Sequence, residues 1–237
     1  MKNLRLIGLL CLLLLMSASA GIKQSNIISY RANLSKVHFA LYWKDAKGNR
    51  IASLGNLRKL VEKQNKTLLF AMNAGMFKKD FSPQGLYIEN GKVLIARDNS
   101  GGNGNFYLKP NGIFCVDRNG IPTIRETENY IDSKSCRYAT QSGPMLVIEG
   151  ELHPAFKKGS ANLNVRNGVG ILPNGEVLFA ISKTEINFYD FAMFFKDAGC
   201  KNALYLDGFV SRAYVSGTKT MQTDGDFGAM IGVALPR

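Results

Sequence analysis

Four short stretches constrain this chain more than any other feature. "IENGKVL", "VDRNGIPTI", "VIEGEL" and "ILPNGEVLFAI" each place a glycine-containing pair between β-forming runs, and in three of them the pair is Asn-Gly. Both central residues of a two-residue hairpin turn need positive φ, which Asn-Gly supplies at low cost, so each stretch predicts antiparallel neighbours. A succession of hairpins argues against a doubly wound nucleotide fold, in which strands alternate with helices. Two helices are readable. Ser53 caps the first, whose Leu54, Leu57, Leu60 and Val61 share one face; the second runs from Asp190 to Ala198, with Phe191, Phe194 and Phe195 apolar and Gly199 as its stop. "VHFALYW", "TLLFAMNA" and "NALYL" read as further strands. No linker or fixed-period repeat divides the chain. The fold class is therefore α+β: a mixed, mostly antiparallel sheet built from hairpins, with a few packed helices, in one domain.

The domain is expected over residues 36–237, after a polar lead-in at 21–35. Residues 1–20 read as an export signal, because Lys2 and Arg5 precede an apolar run from Leu6 to Met16 and "ASA" precedes Gly21. The run is short for a membrane span, so the expected location is periplasmic or secreted, with no stable span after cleavage. Losing Lys2 and Arg5 reduces the formal charge from +12 to +10. Such a surface attracts anions. The basic residues are scattered (Lys36, Lys44, Lys78, Lys157, Lys196 and Lys201 among them) rather than gathered in an aromatic-laced stripe, so no nucleic-acid partner is expected. Cys115, Cys136 and Cys200 follow the signal without metal-binding spacing, and at most one disulfide can form among them. The short separation favours Cys115 with Cys136; buried free thiols are the alternative.

Several strand-like runs end in small or polar residues, the usual way a rigid scaffold assembles a site. "FAMNAGMF" offers Asn73 and Gly75, "ATQSGPML" offers Gln141 and Ser142, "NVRNGVGI" offers Arg166 and Asn167, and "YLDGFVSR" offers Asp207, Gly208 and Ser211. "NSGGNGNF" is a glycine-rich loop that fits neither phosphate-binding fingerprint, so a plain surface loop competes with an anion nest. Arg166 has the donors to clamp a phosphate, although an arginine on a hairpin surface is an equal reading. His38 and His153 are the only histidines and no GxSxG is present, which disfavours a Ser-His-Asp hydrolase. A dinuclear phosphoesterase is disfavoured by the same count. Among acidic residues Asp207 stands apart, because it follows an almost wholly apolar strand; Glu185, after "VLFAISKT", is second. By itself, Asp before Gly at a strand end reads more readily as a turn.

Taken together, "FAMNAGMF", "PQGLYIENGK", "QSGPMLVIEGELHPAF", "RNGVGILPNGEVLFAIS" and "GCKNALYLDG" resemble the phosphodiester glycosidase family from about Val37 to the C-terminus. The resemblance implies hydrolysis of the C1–O bond of a sugar 1-phosphodiester, with a phosphorylated glycan or sugar phosphate as substrate. A phosphate monoester leaves with its charge already accommodated, so such a reaction depends little on a general acid. It implies Asp207 as the group supporting the sugar centre or activating water, with Glu185 as a reserve acid or base. Arg166 would hold the phosphate, and Asn73, Gly75, Gln141, Ser142, Asn167, Gly208 and Ser211 would shape the pocket. A divalent cation is left open, since carboxylate and amide oxygens can bind one without a sequence signature. Where many members follow Asp-Gly with small residues, this chain has Phe209 to Arg212. The alternative is a non-catalytic envelope protein that binds anionic polysaccharide.

Overall fold

The computed structural model describes residues 26–131 and 134–237, so the expected export signal lies outside the described residues. All four expected hairpins form. Strand β4 (Tyr87–Glu89) turns into β5 (Lys92–Ile95), β6 (Gly112–Asp117) into β7 (Pro122–Glu126), β9 (Met145–Ile148) into β10 (Glu151–Leu152), and β11 (Asn167–Ile171) into β12 (Val177–Ser182). At the β4–β5 turn Asn90 and Gly91 have φ of 51° and 78°, the left-handed pair that a tight hairpin requires.

The remaining strands are β1 (Ile27–Ala32), β2 (His38–Tyr42), β3 (Lys66–Asn73), β8 (Cys136–Ser142), β13 (Ala203–Tyr205), β14 (Ala213–Val215) and β15 (Met230–Pro236). Three antiparallel sheets form, with strand orders β1-β12-β11-β13-β9-β10, β14-β3-β15-β2 and β5-β4-β8-β6-β7. Strand β1 lies in the stretch read as a polar lead-in. Ile27–Ala32 pairs along its length with β12, so the folded unit reaches back into the lead-in. Tyr30, part of that segment, stacks on Phe70 with ring centroids 4.7 Å apart, which ties the early strand to the core.

Helix α1 (Leu54–Lys63) begins where expected, with Ser53 Oγ accepting from the Asn56 backbone N–H at 3.2 Å. Helix α2 (Phe188–Asp197) starts earlier than expected. Its cap is Asn187, whose Oδ1 accepts from Asp190 N–H at 2.8 Å, and Asp190 therefore sits within the first turn. Asn187 and Asp190 both suit a helix start, and the buried Phe188 resolves the choice by packing inward.

The three sheets meet around one aromatic cluster. Phe179 from the six-stranded sheet stacks on Phe70 and Phe39 of the four-stranded sheet, at 5.2 and 6.3 Å, and meets Phe114 of the five-stranded sheet edge-on at 6.4 Å. A second apolar layer holds α2, through Phe191 and Phe195, against Leu146, Leu178 and Ala203 of the six-stranded sheet.

Cys115 and Cys136 form a disulfide between β6 and β8, with Cα atoms 5.9 Å apart, while Cys200 is free and buried. The bond closes a loop with a sequence separation of 21. The chain-entropy argument assigns such a loop about 3 kcal/mol. Replacing both cysteines by alanine is expected to lower Tm by roughly 6–12 °C for a domain of this size. An unchanged melting temperature would show that the bond contributes nothing to stability.

Candidate active site

Each of the three sheets sends a strand end to the same place. Asn73 ends β3, Gln141 and Ser142 end β8, Asn167 opens β11, and Asp207 follows β13 by two residues. Backbone and side-chain hydrogen bonds lock these ends together. Asn73 Nδ2 donates to the Asp207 carbonyl at 2.6 Å, and Asn73 Oδ1 accepts from Arg212 N–H at 3.2 Å. Asn167 Nδ2 donates to the Asn73 carbonyl at 3.0 Å, Ser142 Oγ to the Leu206 carbonyl at 3.1 Å, and Ser211 Oγ to the Asp207 carbonyl at 3.1 Å. Asn73, Ser142, Asn167 and Ser211 are all buried, so each unmade bond would carry a desolvation cost.

The backbone of Asp207 is thus held by two donors, whereas among the described residues none donates to its carboxylate. The side chain is partly covered rather than sealed. Burial pushes its pKa up to about 6. A carboxyl in that range is largely ionised at neutral pH yet close enough to exchange protons there.

Two glycines make the approach of these strand ends feasible. A Cβ on Gly75 would lie 2.6 Å from Thr140 Oγ1 and 2.7 Å from the Gln141 carbonyl, so β3 could not close on β8 with a larger residue. A Cβ on Gly208 would lie 2.5 Å from Tyr205 Oη and 2.8 Å from Arg166 Cα, and would press on the Val165 carbonyl. Both belong to the site by shape rather than by polar chemistry.

Arg166 is almost fully buried, with 1% of its surface exposed, and its geometry differs from the expected phosphate clamp. Nε donates to the Ile186 carbonyl at 2.7 Å and Nη2 to the Asn162 carbonyl at 2.9 Å, while the guanidinium lies over the Phe188 ring at 3.5 Å. Two of the groups that would grip an anion are therefore spent inside the fold. No carboxylate of the described residues pairs with it, and burial lowers its pKa. What remains is a fixed positive charge behind the Asp207 turn. Tyr205 connects the two regions: its ring lies 5.6 Å from the guanidinium carbon and its hydroxyl accepts from Gly208 N–H at 3.0 Å.

Two other expected residues are placed differently. The Gln141 amide is consumed internally, with Oε1 accepting from Leu86 N–H at 2.9 Å and Asp98 N–H at 3.0 Å, and Nε2 donating to the Asp98 carbonyl at 2.6 Å. It fastens the start of the glycine-rich loop to β8 and leaves little to offer a ligand. Glu185 is exposed on the loop between β12 and α2 and makes no hydrogen bond to the other site residues, so its candidacy as a second acid or base gains no support. Asn167, by contrast, has a buried Oδ1 that receives no donor among the described residues, an acceptor left for a ligand hydroxyl or N–H.

Reading the sequence missed Tyr205, Phe188 and Asn162, the groups that orient Arg166 and the Asp207 turn. The available signal was slight: a tyrosine where an apolar strand elsewhere carries leucine. His153 is buried and stacked on Phe156, which in turn stacks on Phe188, the ring over which the Arg166 guanidinium lies, and His38 contacts Lys66. Among the described residues no three His, Cys, Asp or Glu side chains gather in one place. A hard cation at Asp207 would have to draw its other ligands from amide and carbonyl oxygens and water. A cavity of about 770 Å³ lies at the other end of β13, around Ile124, Met145 and Lys201, and no site residue lines it.

Comparison with known proteins agrees with this architecture. The zebrafish N-acetylglucosamine-1-phosphodiester alpha-N-acetylglucosaminidase catalytic domain, auto-inhibited by its pro-peptide, superposes with a TM-score of 0.59 at 14% identity, over 90% of this chain and 85% of that one. An exported-protein candidate from Burkholderia pseudomallei superposes at 0.58 with 12% identity, over 87% and 73%. At those identities the likeness establishes the fold. The uncharacterized protein YigE of Escherichia coli is 35% identical over 190 residues, 80% of this chain and 74% of its own length. The phosphodiester glycosidase family model matches residues 66–234, which include Asn73, Asn167 and Asp207. That match and the YigE identity together make this chain a member of the phosphodiester glycosidase family.

Proposed function

We propose that the protein hydrolyses the C1–O bond of a sugar 1-phosphodiester, releasing free sugar and a phosphate monoester. Family membership supports a glycosidase-type function. One observation carries the finer reading: the Asp207 carboxyl stands at the strand ends, raised to about 6 by burial with no other charge of the described residues shifting it, two residues after Tyr205, whose ring lies 5.6 Å from the buried Arg166 guanidinium. An ordinary glycoside needs two carboxyl groups, one of them to protonate a poor leaving group. A phosphate monoester departs as a stable anion and needs no such acid.

In this mechanism the Asp207 carboxylate faces the sugar carbon, where it stabilises developing positive charge or takes a proton from the attacking water. Water forms the new C1–O bond as the old one breaks, and the electron pair of that bond leaves with the phosphate. Arg166 acts through its charge rather than by gripping oxygens, lowering the cost of negative charge on the departing group. Asn167 Oδ1 orients a hydroxyl. The basic, exported character read from the sequence suits a phosphorylated glycan outside the cytoplasm, and among the described residues no helix is long and apolar enough to cross a membrane.

Turnover of a glycosyl phosphodiester in ¹⁸O-water, followed by mass analysis, tests the reaction. Label in the sugar is expected. Label in the phosphate would mean P–O cleavage and overturn the reading, and saturable binding without turnover would favour the polysaccharide-binding alternative.

A further inference from the structure

The residue after the Asp207-Gly208 pair is a phenylalanine whose side chain is 84% exposed. A single exposed aromatic on a protein surface needs no explanation by itself. Here its position does. Ser211 N–H donates to the Gly208 carbonyl at 3.0 Å, so Gly208 to Ser211 form a β-turn with Phe209 and Val210 at its corners. Such corners favour Pro, Asp, Asn, Ser or Gly, and nothing in turn chemistry calls for a large apolar ring at the first of them.

The neighbours of Phe209 each have a structural use. Gly208 packs against Arg166 and Tyr205, Val210 packs on the main core, and Ser211 Oγ holds the Asp207 carbonyl. Phe209 does not join the core clusters or the ring–ring contacts found among the described residues. The turn is also anchored at its ends, by Asn73 at the Asp207 carbonyl and at Arg212 N–H. The ring is therefore carried on a fixed support, two residues from the carboxylate, with its apolar surface left in water.

We propose that Phe209 is the stacking platform of this site and selects substrates that present a flat or apolar ring face beside the phosphodiester. The inference rests on Asp207 being the reacting end of the site. A pyranose offers such a face, as does a nucleobase beyond the phosphate; stacking on an aromatic side chain suits both. Each phosphate oxygen brings negative charge that the Arg166 side of the turn favours, while the ring brings the contact that the backbone-rich strand ends lack.

The test compares the parent with Phe209→Ala and Phe209→Trp on three probes: the methyl phosphodiester of glucose 1-phosphate, UDP-glucose, and dimethyl phosphate as a ringless control for binding. Phe209→Ala is expected to raise KM about tenfold for a ring-bearing probe with kcat changed less than twofold, and Phe209→Trp to restore the parent KM. A rise with the methyl diester places the sugar on the ring; a rise with UDP-glucose alone places the base there. Calorimetric affinity is measured in parallel, so the result does not depend on turnover. If the parent binds but does not hydrolyse either diester, the proposed reaction fails, and a tenfold loss of affinity in Phe209→Ala still supports the platform. Equal affinities of parent and Phe209→Ala for both ring-bearing probes, or an equal loss for dimethyl phosphate, overturn it. The fold should be indifferent to the change, and an unaltered Tm in Phe209→Ala confirms that the comparison reads binding.

Discussion

Asp207→Asn should lower kcat/KM for a sugar 1-phosphodiester by about 10³, or about 4 kcal/mol of transition-state stabilisation, while making the folded protein more stable above neutral pH. The two effects share one cause. Burial holds the Asp207 carboxyl at about 6 instead of its ordinary 3.8, and ionising it in the fold therefore costs up to about 3 kcal/mol relative to the unfolded chain. Between those two values the folded state binds the proton that the unfolded state has released, so stability falls as pH rises through this window. Above pH 6 the full penalty applies; below 3.8 it vanishes. An asparagine carries no such penalty. The variant is expected to melt roughly 6–12 °C above the parent at pH 8 and together with it at pH 3. The parent's kcat/KM should decline as pH falls through about 6, because the working form is the ionised one. Near-parent turnover by Asp207→Asn would remove the catalytic assignment, and an equal Tm at pH 8 would remove the burial argument.

The second large effect is steric. In Gly208→Ala the new methyl would meet Tyr205 Oη at 2.5 Å and Arg166 Cα at 2.8 Å, as well as the Val165 carbonyl. Two of those obstacles are backbone and the third is a buried phenol, so none can swing aside. The 207–211 turn must lift away from β11, which breaks the Gly208–Tyr205 hydrogen bond and displaces the carboxylate. Overpacking of this kind costs about 1–3 kcal/mol, and a displacement near 1 Å at the reacting group costs about a hundredfold in rate. Gly101→Ala, where nothing lies within 4 Å, provides the control and should change neither Tm nor rate. A Gly208→Ala protein with parent activity would show that the turn tolerates movement and that the site is less rigid than the hydrogen bonds imply.

Much of the local structure was legible because it depends on neighbours in the chain. Asn90-Gly91 fixes a hairpin through the backbone angles of two adjacent residues, and Ser53 caps α1 through a bond three residues away. The start of α2 was misplaced by two residues because Asn187 and Asp190 are both adequate caps, and only the packing of Phe188 distinguishes them. Strand β1 was missed for a related reason. The exposed Ser29 and Arg31 give "IISYRA" a polar character, and its membership in the sheet comes from β12, about 150 residues later.

The candidate site divides along the same line. Strand ends that carry Asn73, Ser142, Asn167 and Asp207 could be singled out residue by residue, since a small or polar residue closing an apolar run is a local pattern. Their roles could not. Gln141 and Arg166 look like ligand-binding groups in one dimension, yet in the fold the amide of the first is spent on Leu86 and Asp98, and two donors of the second on Asn162 and Ile186. Glu185 shares with Asp207 a place after an apolar strand, but one is exposed on a loop and the other is pushed to about 6 by burial. Chain-local chemistry thus determined the turns, caps and strand ends of this protein. Which polar groups remain free to act was decided by tertiary structure, because desolvation and hydrogen-bond saturation come from residues distant in sequence that only the packing of three sheets brings together.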